Sequence, residues 1–271
     1  MEQNKPISSF KNSRFVFRIG ANTLSFATLQ GENHDSFVYE PYTVHSGISM
    51  SANLREAFKE NALLSSGIKR AWVFLDTPVV MVPLEEFVVS EKEVLYNSVT
   101  TSNNGVEILH HVMPEVNAVA LFPINKDLKL VLTDNIEDVR FAPVMRSVWR
   151  YMHRRSFTGM RKKLFVYFHD KKIDIFCFNK NRFKFTNSFD VSHSQDAVYF
   201  MMHVWQLMGY DVKNDELFMM GKIEKPQLYV DNLQRYINKV YVINPTAEFN
   251  RHPITQVKGM SLDLIIHFIK R

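Results

Sequence analysis

Short apolar blocks separated by polar turns occupy residues 164–191, and this pattern predicts three antiparallel strands. The apolar runs Leu164–Phe168 and Ile173–Phe178 flank the polar turn His169–Lys172. After a second polar turn, apolar side chains occupy alternate positions, at Phe183, Phe185, Phe189 and Val191. Alternation with a period of two is typical of a half-buried strand, and short turns join antiparallel neighbours. The stretch is therefore interpreted as a three-stranded antiparallel unit.

An equivalent pattern opens the chain. Strands are predicted at Arg14–Ile19, Leu24–Leu29 and Phe37–Val44, followed by a helix with Ser51 as its N-cap and by a buried strand at Ala71–Leu75.

After the later three strands, a second helix is expected to begin at a cap formed by Ser192 or Ser194 and to end at Gly209. The strand Leu217–Met220 follows it. Both copies therefore have the order three strands, helix, strand, and this long-period similarity indicates a duplication.

The remaining segments complete an α/β pattern. Between the copies we predict a helix at 93–100, strands at 106–113 and 118–122, a helix from Asn125 to Leu132, a strand at 139–142 and an amphipathic helix at 144–155. After the second copy we predict a helix at 228–237, a strand at 240–243 and a final helix at 261–268. Because the final helix is apolar on nearly all sides, burial is favoured over a membrane-surface or partner-binding role.

This order of elements resembles a tandem pair of ribonuclease-H-like units, the plan of the actin-like ATPase superfamily. That superfamily includes sugar kinases, heat-shock chaperones, and the actin relatives of pilus assembly and cell division. The chain is most similar to an uncharacterised bacterial family of actin-like domains, through the segments FVFRIGANTLSFATL, KKLFVYFHDKKIDIFCF and KVYVINPTAEFNRHP. The resemblance implies a first half at residues 1–143 with an inserted subdomain and a second half at 144–271, with 144–155 as connecting helix.

The resemblance also implies where a nucleotide would bind. In the superfamily the first hairpin carries the motif Asp-x-Gly. Its carboxylate positions a metal ion, and the backbone N–H groups of the turn bind phosphate. This chain has Arg18 in place of the carboxylate and retains Gly20. An arginine can contact phosphate but cannot hold Mg²⁺. The candidate nucleotide-binding residues of this hairpin are Arg18, Gly20, Asn22 and Thr23.

The other two superfamily motifs are also altered. The second hairpin has no glycine, and Asp170 is its one candidate carboxylate. The adenosine motif is reduced to Gly221 and Lys222. These departures imply a degenerate nucleotide cleft and weaken the case for an enzyme, since phosphoryl transfer depends on a metal and positioned charge. The sequence assigns no cofactor, although ATP is a candidate.

Charge is concentrated in one segment. The chain carries 33 lysines and arginines against 28 acids, a net charge of +5. Residues 146–163 hold seven cations and no acid, so the rest of the chain is slightly acidic. One interpretation is an anionic partner, namely nucleic acid, an acidic protein surface or lipid headgroups. The other is a solvated face whose cations pair with acids elsewhere. The candidate partner-binding residues are Arg146, Arg150, Arg154 and Arg155.

Three further features bear on cysteine chemistry and on the location of the protein. The lone Cys177 lies in an apolar strand, which indicates a buried, inert thiol and excludes a disulfide framework. The N-terminus lacks a signal-peptide core, and no apolar run approaches the roughly 18 residues of a membrane span. A cytoplasmic location is expected.

Three hypotheses follow. The first is a non-catalytic scaffold or protein-interaction module of actin-like fold. The second is a nucleotide-binding protein with weak ATPase activity at most. The third is a nucleic-acid-associated protein that uses residues 146–163.

Overall fold

A computed structural model describes residues 14–30, 36–65, 67–100, 104–180 and 182–269 of the 271-residue chain. The chain divides into two compact units. The first comprises the chain up to Val80, Phe87–His111 and Ala120–Val144, and the second comprises Met81–Glu86, Val112–Val119 and Met145–Arg271.

The elements alternate between strands and helices. The strands, in chain order, are β1 (Arg14–Ile19), β2 (Leu24–Gln30), β3 (Ser36–Tyr42), β4 (Arg70–Leu75), β5 (Val80–Pro83), β6 (Val106–Met113), β7 (Ala118–Asn125), β8 (Asp138–Pro143), β9 (Lys163–His169), β10 (Lys172–Asn179), β11 (Arg182–Asp190), β12 (Glu216–Gly221) and β13 (Val240–Val242). The helices are α1 (Met50–Glu60), α2 (Lys92–Asn97), α3 (Lys126–Asn135), α4 (Arg146–Ser156), α5 (Ser194–Leu207), α6 (Pro226–Leu233), α7 (Pro245–Glu248) and α8 (Leu262–Ile269).

The two large sheets have matching topology. One has the order β3-β2-β1-β4-β8 and the other the order β11-β10-β9-β12-β13. In each sheet the first three strands are antiparallel, and the last two run parallel to the central strand. A third sheet has the order β5-β7-β6. The predicted mixed α/β plan is confirmed, although β5 and α7 were not predicted.

Helices cover one face of the sheet in the first unit. Side chains of β1 alternate between faces, so Phe17 and Ile19 face the core that α1 and α3 close with Leu54 and Leu132. Phe17 meets Phe26 edge to face, with ring centroids 5.3 Å apart. Arg18 consequently points to the opposite face.

The second unit repeats this packing with α5 and α6, through Val166, Trp205 and Leu233. Every residue of α8 from Leu262 to Phe268 is buried, which confirms the predicted burial of the last helix. Among the described residues, no helix combines the length and apolar character needed to cross a membrane.

The start of α1 differs from the prediction. Ser49 is the N-cap, since its Oγ accepts the Ala52 N–H at 3.2 Å, whereas Ser51 lies inside the helix and is buried. The Asn53 side chain accepts the His45 N–H at 2.7 Å and donates to the His45 carbonyl at 3.1 Å. This bridge fixes the path of the chain into the helix and thereby selects the earlier serine.

The start of α5 also differs. His193 occupies the N-cap position, and the Asp196 carboxylate accepts its N–H at 2.9 Å. The prediction of Ser192 or Ser194 as the cap was wrong because the carboxylate one turn into the helix supplies the bond.

A β-bulge separates two phenylalanines of β11. Cys177 is opposite Phe185, but the register then shifts and Phe178 is opposite Phe183. Phe183 therefore meets Trp149 of α4 at 5.3 Å, while Phe185 packs in the core under α5. The prediction that the alternate phenylalanines share one face was wrong for Phe183, because a bulge inverts the pleat.

The β9–β10 hairpin has a turn of only two residues. Asp170 and Lys171 have φ values of 44° and 63°, the left-handed pair that such turns require. His169 and Lys172 belong to the strands, so the predicted four-residue turn was too long.

Gly221 permits a close backbone contact at the end of β12. A Cβ at this position would lie 2.2 Å from the Phe168 carbonyl oxygen, and its φ is +97°. We expect Gly221→Ala to lower the free energy of unfolding by about 3 kcal/mol or more, because the added Cβ would overlap the Phe168 carbonyl oxygen and alanine disfavours the left-handed backbone. Urea denaturation measures this loss.

Gly67→Ala is the matched control. Its φ is +79°, but nothing lies within 4 Å of the added Cβ, so only strain applies and a loss of about 1 kcal/mol is expected. Equal losses in the two variants would contradict the close-contact explanation.

Candidate functional site

The four candidate residues of the first hairpin lie in or beside one short connection between β1 and β2. Arg18 is only 5% exposed, and its Nη1 donates to Thr23 Oγ1 at 3.4 Å. The Gly20 N–H donates to the Thr23 carbonyl at 2.8 Å, while Asn22 is exposed. The hairpin thus bonds to itself through a guanidinium and a backbone N–H, two donors of the kind that bind anions.

Packing within the hairpin is enough to explain why position 20 is glycine. A Cβ there would lie 2.5 Å from Thr23 Oγ1, closer than packed atoms allow. The φ of Gly20 lies outside the left-handed region. Its retention therefore follows from the close approach of Thr23 and does not by itself indicate phosphate binding.

The structure adds Asp76, a carboxylate that the sequence analysis missed. It directly follows β4, which pairs in parallel with β1, and the Asp76 N–H donates to the Ile19 carbonyl at 2.9 Å. Its Oδ2 lies 3.6 Å from where a Cβ on Gly20 would be. The available signal was a polar residue directly after a buried strand, since parallel sheets bind ligands at the carboxyl ends of their strands.

The second hairpin carries a compact group of polar side chains. His169 is 5% exposed and donates from Nε2 to Asp174, which is itself buried. The other ring nitrogen lies 3.5 Å from Asp170. The His169 ring stacks on Tyr167 with centroids 4.8 Å apart, and Tyr167 Oη donates to Asp263 at 2.6 Å.

Gly221 and Lys222 lie at the same sheet edge as this hairpin. Gly221 pairs with Phe168 in the parallel ladder between β12 and β9, and the Lys222 N–H donates to the Phe168 carbonyl at 2.9 Å. The Lys222 side chain is exposed. The second unit therefore brings Asp170, Gly221 and Lys222 to one edge of its sheet.

Comparison with known proteins identifies the family. A family model described as "Protein of unknown function (DUF3822)" matches residues 2–240. The chain belongs to this family. No curated protein sequence matches it.

Solved structures identify the fold of this DUF3822 protein. A protein from Bacteroides thetaiotaomicron VPI-5482, described as having an actin-like ATPase fold and unknown function, is 24% identical with a TM-score of 0.79; the match covers 87% of this chain and 92% of that one. The PilM–PilN type IV pilus biogenesis complex contains a chain that is 10% identical with a TM-score of 0.61, covering 94% and 96%. The predicted actin-like ATPase fold is confirmed.

Most cations of the basic segment have partners within the second unit. Arg150 Nε lies 2.6 Å from Glu115, and Arg155 binds Glu248 while its guanidinium lies 5.2 Å from the centre of the Phe218 ring. These contacts support the interpretation of a charged face paired with acids.

The other two candidate arginines differ from each other in their surroundings. Burial, together with the neighbouring Arg150, lowers the pKa of Arg146 to about 10. Arg154 is exposed. The four candidate arginines therefore do not form one uniform solvent-facing cationic surface.

Cys177 is fully buried, and burial raises the pKa of its thiol. A raised pKa reduces the thiolate fraction needed for nucleophilic chemistry. The predicted burial of this thiol is confirmed.

His153 on α4 couples stability to pH. It is 6% exposed, and burial lowers its pKa below the ordinary 6.5, although a contact with the Lys180 carbonyl opposes this effect. The unfolded chain therefore takes up a proton that the folded chain resists, so stability falls as pH drops below 6.5.

We expect the free energy of unfolding to fall less for His153→Gln than for the wild type when the pH is lowered from about 7.5 to about 5.5. The two slopes should differ by at most about 1.4 kcal/mol per pH unit, the value for one proton. Urea unfolding at both pH values measures this difference. The same comparison between about pH 7 and pH 8 is the control, since a histidine with a lowered pKa is already neutral there. Identical acid sensitivity in both proteins would contradict the assignment.

Proposed function

We propose that this chain is a non-catalytic scaffold or protein-interaction module of actin-like fold. The observation that carries the proposal is the self-bonded first hairpin, where Arg18 replaces the superfamily's carboxylate and contacts Thr23. Phosphoryl transfer in related folds needs a metal ion held by carboxylate oxygens. A guanidinium offers only donors, and its charge repels a cation.

The PilM–PilN complex supports this proposal, because a protein of the same fold assembles there with a second protein. The first unit also presents a suitable surface. Its valine patch consists of Val88, Val89, Val94 and Val99, whose exposures are 50, 54, 71 and 67%.

The valine patch is firmly attached to its unit. Tyr96 of α2 is 2% exposed, and its hydroxyl donates to the Pro78 carbonyl at 3.3 Å. Val94 lies on this helix, and the other three valines lie just before or after it. Four exposed valines within twelve residues of a fixed segment favour contact with another protein.

Nucleotide should leave the folded protein unaffected. We expect millimolar ATP, with or without Mg²⁺, to change the Tm by no more than about 1 °C in thermal unfolding, whereas a ligand at 100 times its Kd would add about 2.7 kcal/mol of stability. A rise of several degrees that requires Mg²⁺ would contradict the scaffold proposal.

A nucleotide-binding protein is the second candidate, and Asp76 is the observation that favours it. This carboxylate lies beside Gly20 and offers the type of oxygen ligand that Mg²⁺ prefers. If the Tm does rise with ATP and Mg²⁺, the nucleotide-binding hypothesis predicts that the rise will disappear in Asp76→Asn. Asp134→Asn, on the exposed surface of α3 in the same unit, is the matched control and should keep it.

A positive test of the scaffold role uses the valine patch. A photo-crosslinking amino acid at position 94 is expected to give one discrete covalent adduct in living cells, with unchanged yield after ATP depletion. The same amino acid at the exposed position of Asp134 should give none. Equal labelling at both positions, or an adduct that depends on ATP, would count against a nucleotide-independent docking surface.

A further inference from the structure

The loop between α4 and β9 combines apolar and cationic side chains on an exposed surface. We define it as the basic loop, residues 157–162. Met160 is fully exposed at 103%, and Phe157 is 56% exposed. The exposed cations Arg161 and Lys162 follow directly, and Arg154 precedes the loop on α4.

Buried groups hold the basic loop in shape. Lys163 is 5% exposed, and its ammonium donates to the Thr158 carbonyl. The Thr158 N–H donates to the Arg155 carbonyl at 3.1 Å, and Gly159 supplies a left-handed φ of +77°. Met160 is therefore exposed at the tip of a constrained turn.

The loop lies at the amino-terminal edge of its sheet, beside a second loop of similar character. The Lys162 ammonium donates to the Gly209 carbonyl at 3.3 Å, and the Lys162 backbone N–H donates to the Asp215 carboxylate at 3.1 Å. In the connection between α5 and β12, residues 208–215, Val212 is 43% exposed, and Leu207 at the end of α5 is 64% exposed. This edge of the second unit thus carries exposed apolar side chains from the basic loop, from the end of α5 and from the connection that follows it.

The carboxylates at this edge are engaged locally. Asp211 accepts the N–H groups of Lys213 and Asn214, both at 2.8 Å, and these bonds lower its pKa. Glu216 lies 3.3 Å from Arg161 and is mostly covered. Asp211 is nevertheless exposed, and its lowered pKa keeps it ionised. The exposed positive charge at this edge comes from the basic loop, where Arg161 and Lys162 are exposed and no acid is present.

We propose that the basic loop docks this protein on an anionic lipid surface. Peripheral membrane sites combine apolar side chains that enter the headgroup region with cations that attract anionic lipids. Nucleic acid would use the cations and could stack on Phe157, but it offers no apolar environment for Met160. The exposed methionine therefore favours lipid. This inference is independent of whether the chain binds a nucleotide.

The test uses the full chain and vesicles of phosphatidylcholine, with or without phosphatidylglycerol. We expect co-sedimentation with the anionic vesicles only, and weakening at about 0.5 M salt. Phe157→Ser/Met160→Ser should lower the partition coefficient about tenfold through the loss of buried apolar surface. Met160→Ser alone alters a fully exposed side chain, so its effect cannot be attributed to unfolding. Leu130→Ser, which changes a 54% exposed apolar side chain of the other unit, should bind as the wild type does.

A second readout exploits the lone buried cysteine. Because Cys177 is fully buried, an environment-sensitive thiol dye on Met160→Cys should label position 160 selectively. Its emission is expected to shift to the blue with anionic vesicles, while dye on Leu130→Cys, at an exposed position of the other unit, should not respond. Absent binding, equal binding to neutral vesicles, or an unaffected serine variant would overturn the proposal. So would salt-sensitive binding to a single-stranded oligonucleotide that Met160→Ser leaves unchanged, if vesicles are not bound.

Discussion

The central strand of each large sheet determines where the candidate groups lie. β1 bonds to β2 on one side and to β4 on the other, and β9 bonds in the same way to β10 and β12. One partner is antiparallel and the other parallel. A hairpin turn and the carboxyl end of a later strand therefore meet at one edge, which brings Gly20 beside Asp76 and Asp170 to the edge of Gly221.

This constraint also explains how altered motifs can persist in an intact fold. A Cβ on Gly20 would displace the Thr23 hydroxyl, and a Cβ on Gly221 would overlap the Phe168 backbone carbonyl. Both glycines therefore have structural reasons to remain, whether or not a nucleotide binds. Arg18 lies on the face of β1 opposite the α1–α3 core, where a cation can replace a carboxylate without disturbing that core.

Strand periodicity made much of the fold predictable. The bounds of β1 and β6 agree with the predicted ones, and the repeated order of three strands, helix and strand is confirmed. Periodicity could not locate the cap of α1, because Asn53 selects between two nearby serines. It could not reveal the bulge that inverts Phe183, since a register shift depends on the partner strand. His169 looked like part of a polar turn, and only the buried Asp174 beside it explains its inward position. Asp76 was missed because one aspartate after a strand is a weak signal until the parallel pairing with β1 is known.

Hydrogen exchange at Gly20 tests the central claim, that the first hairpin is bonded to itself and not prepared for phosphate. The account predicts that the Gly20 amide exchanges slowly in the ligand-free protein, because Thr23 accepts its hydrogen. It also predicts the same rate after ATP and Mg²⁺ are added. Fast exchange that slows when ATP and Mg²⁺ are added would contradict the account and identify the hairpin as a working phosphate loop.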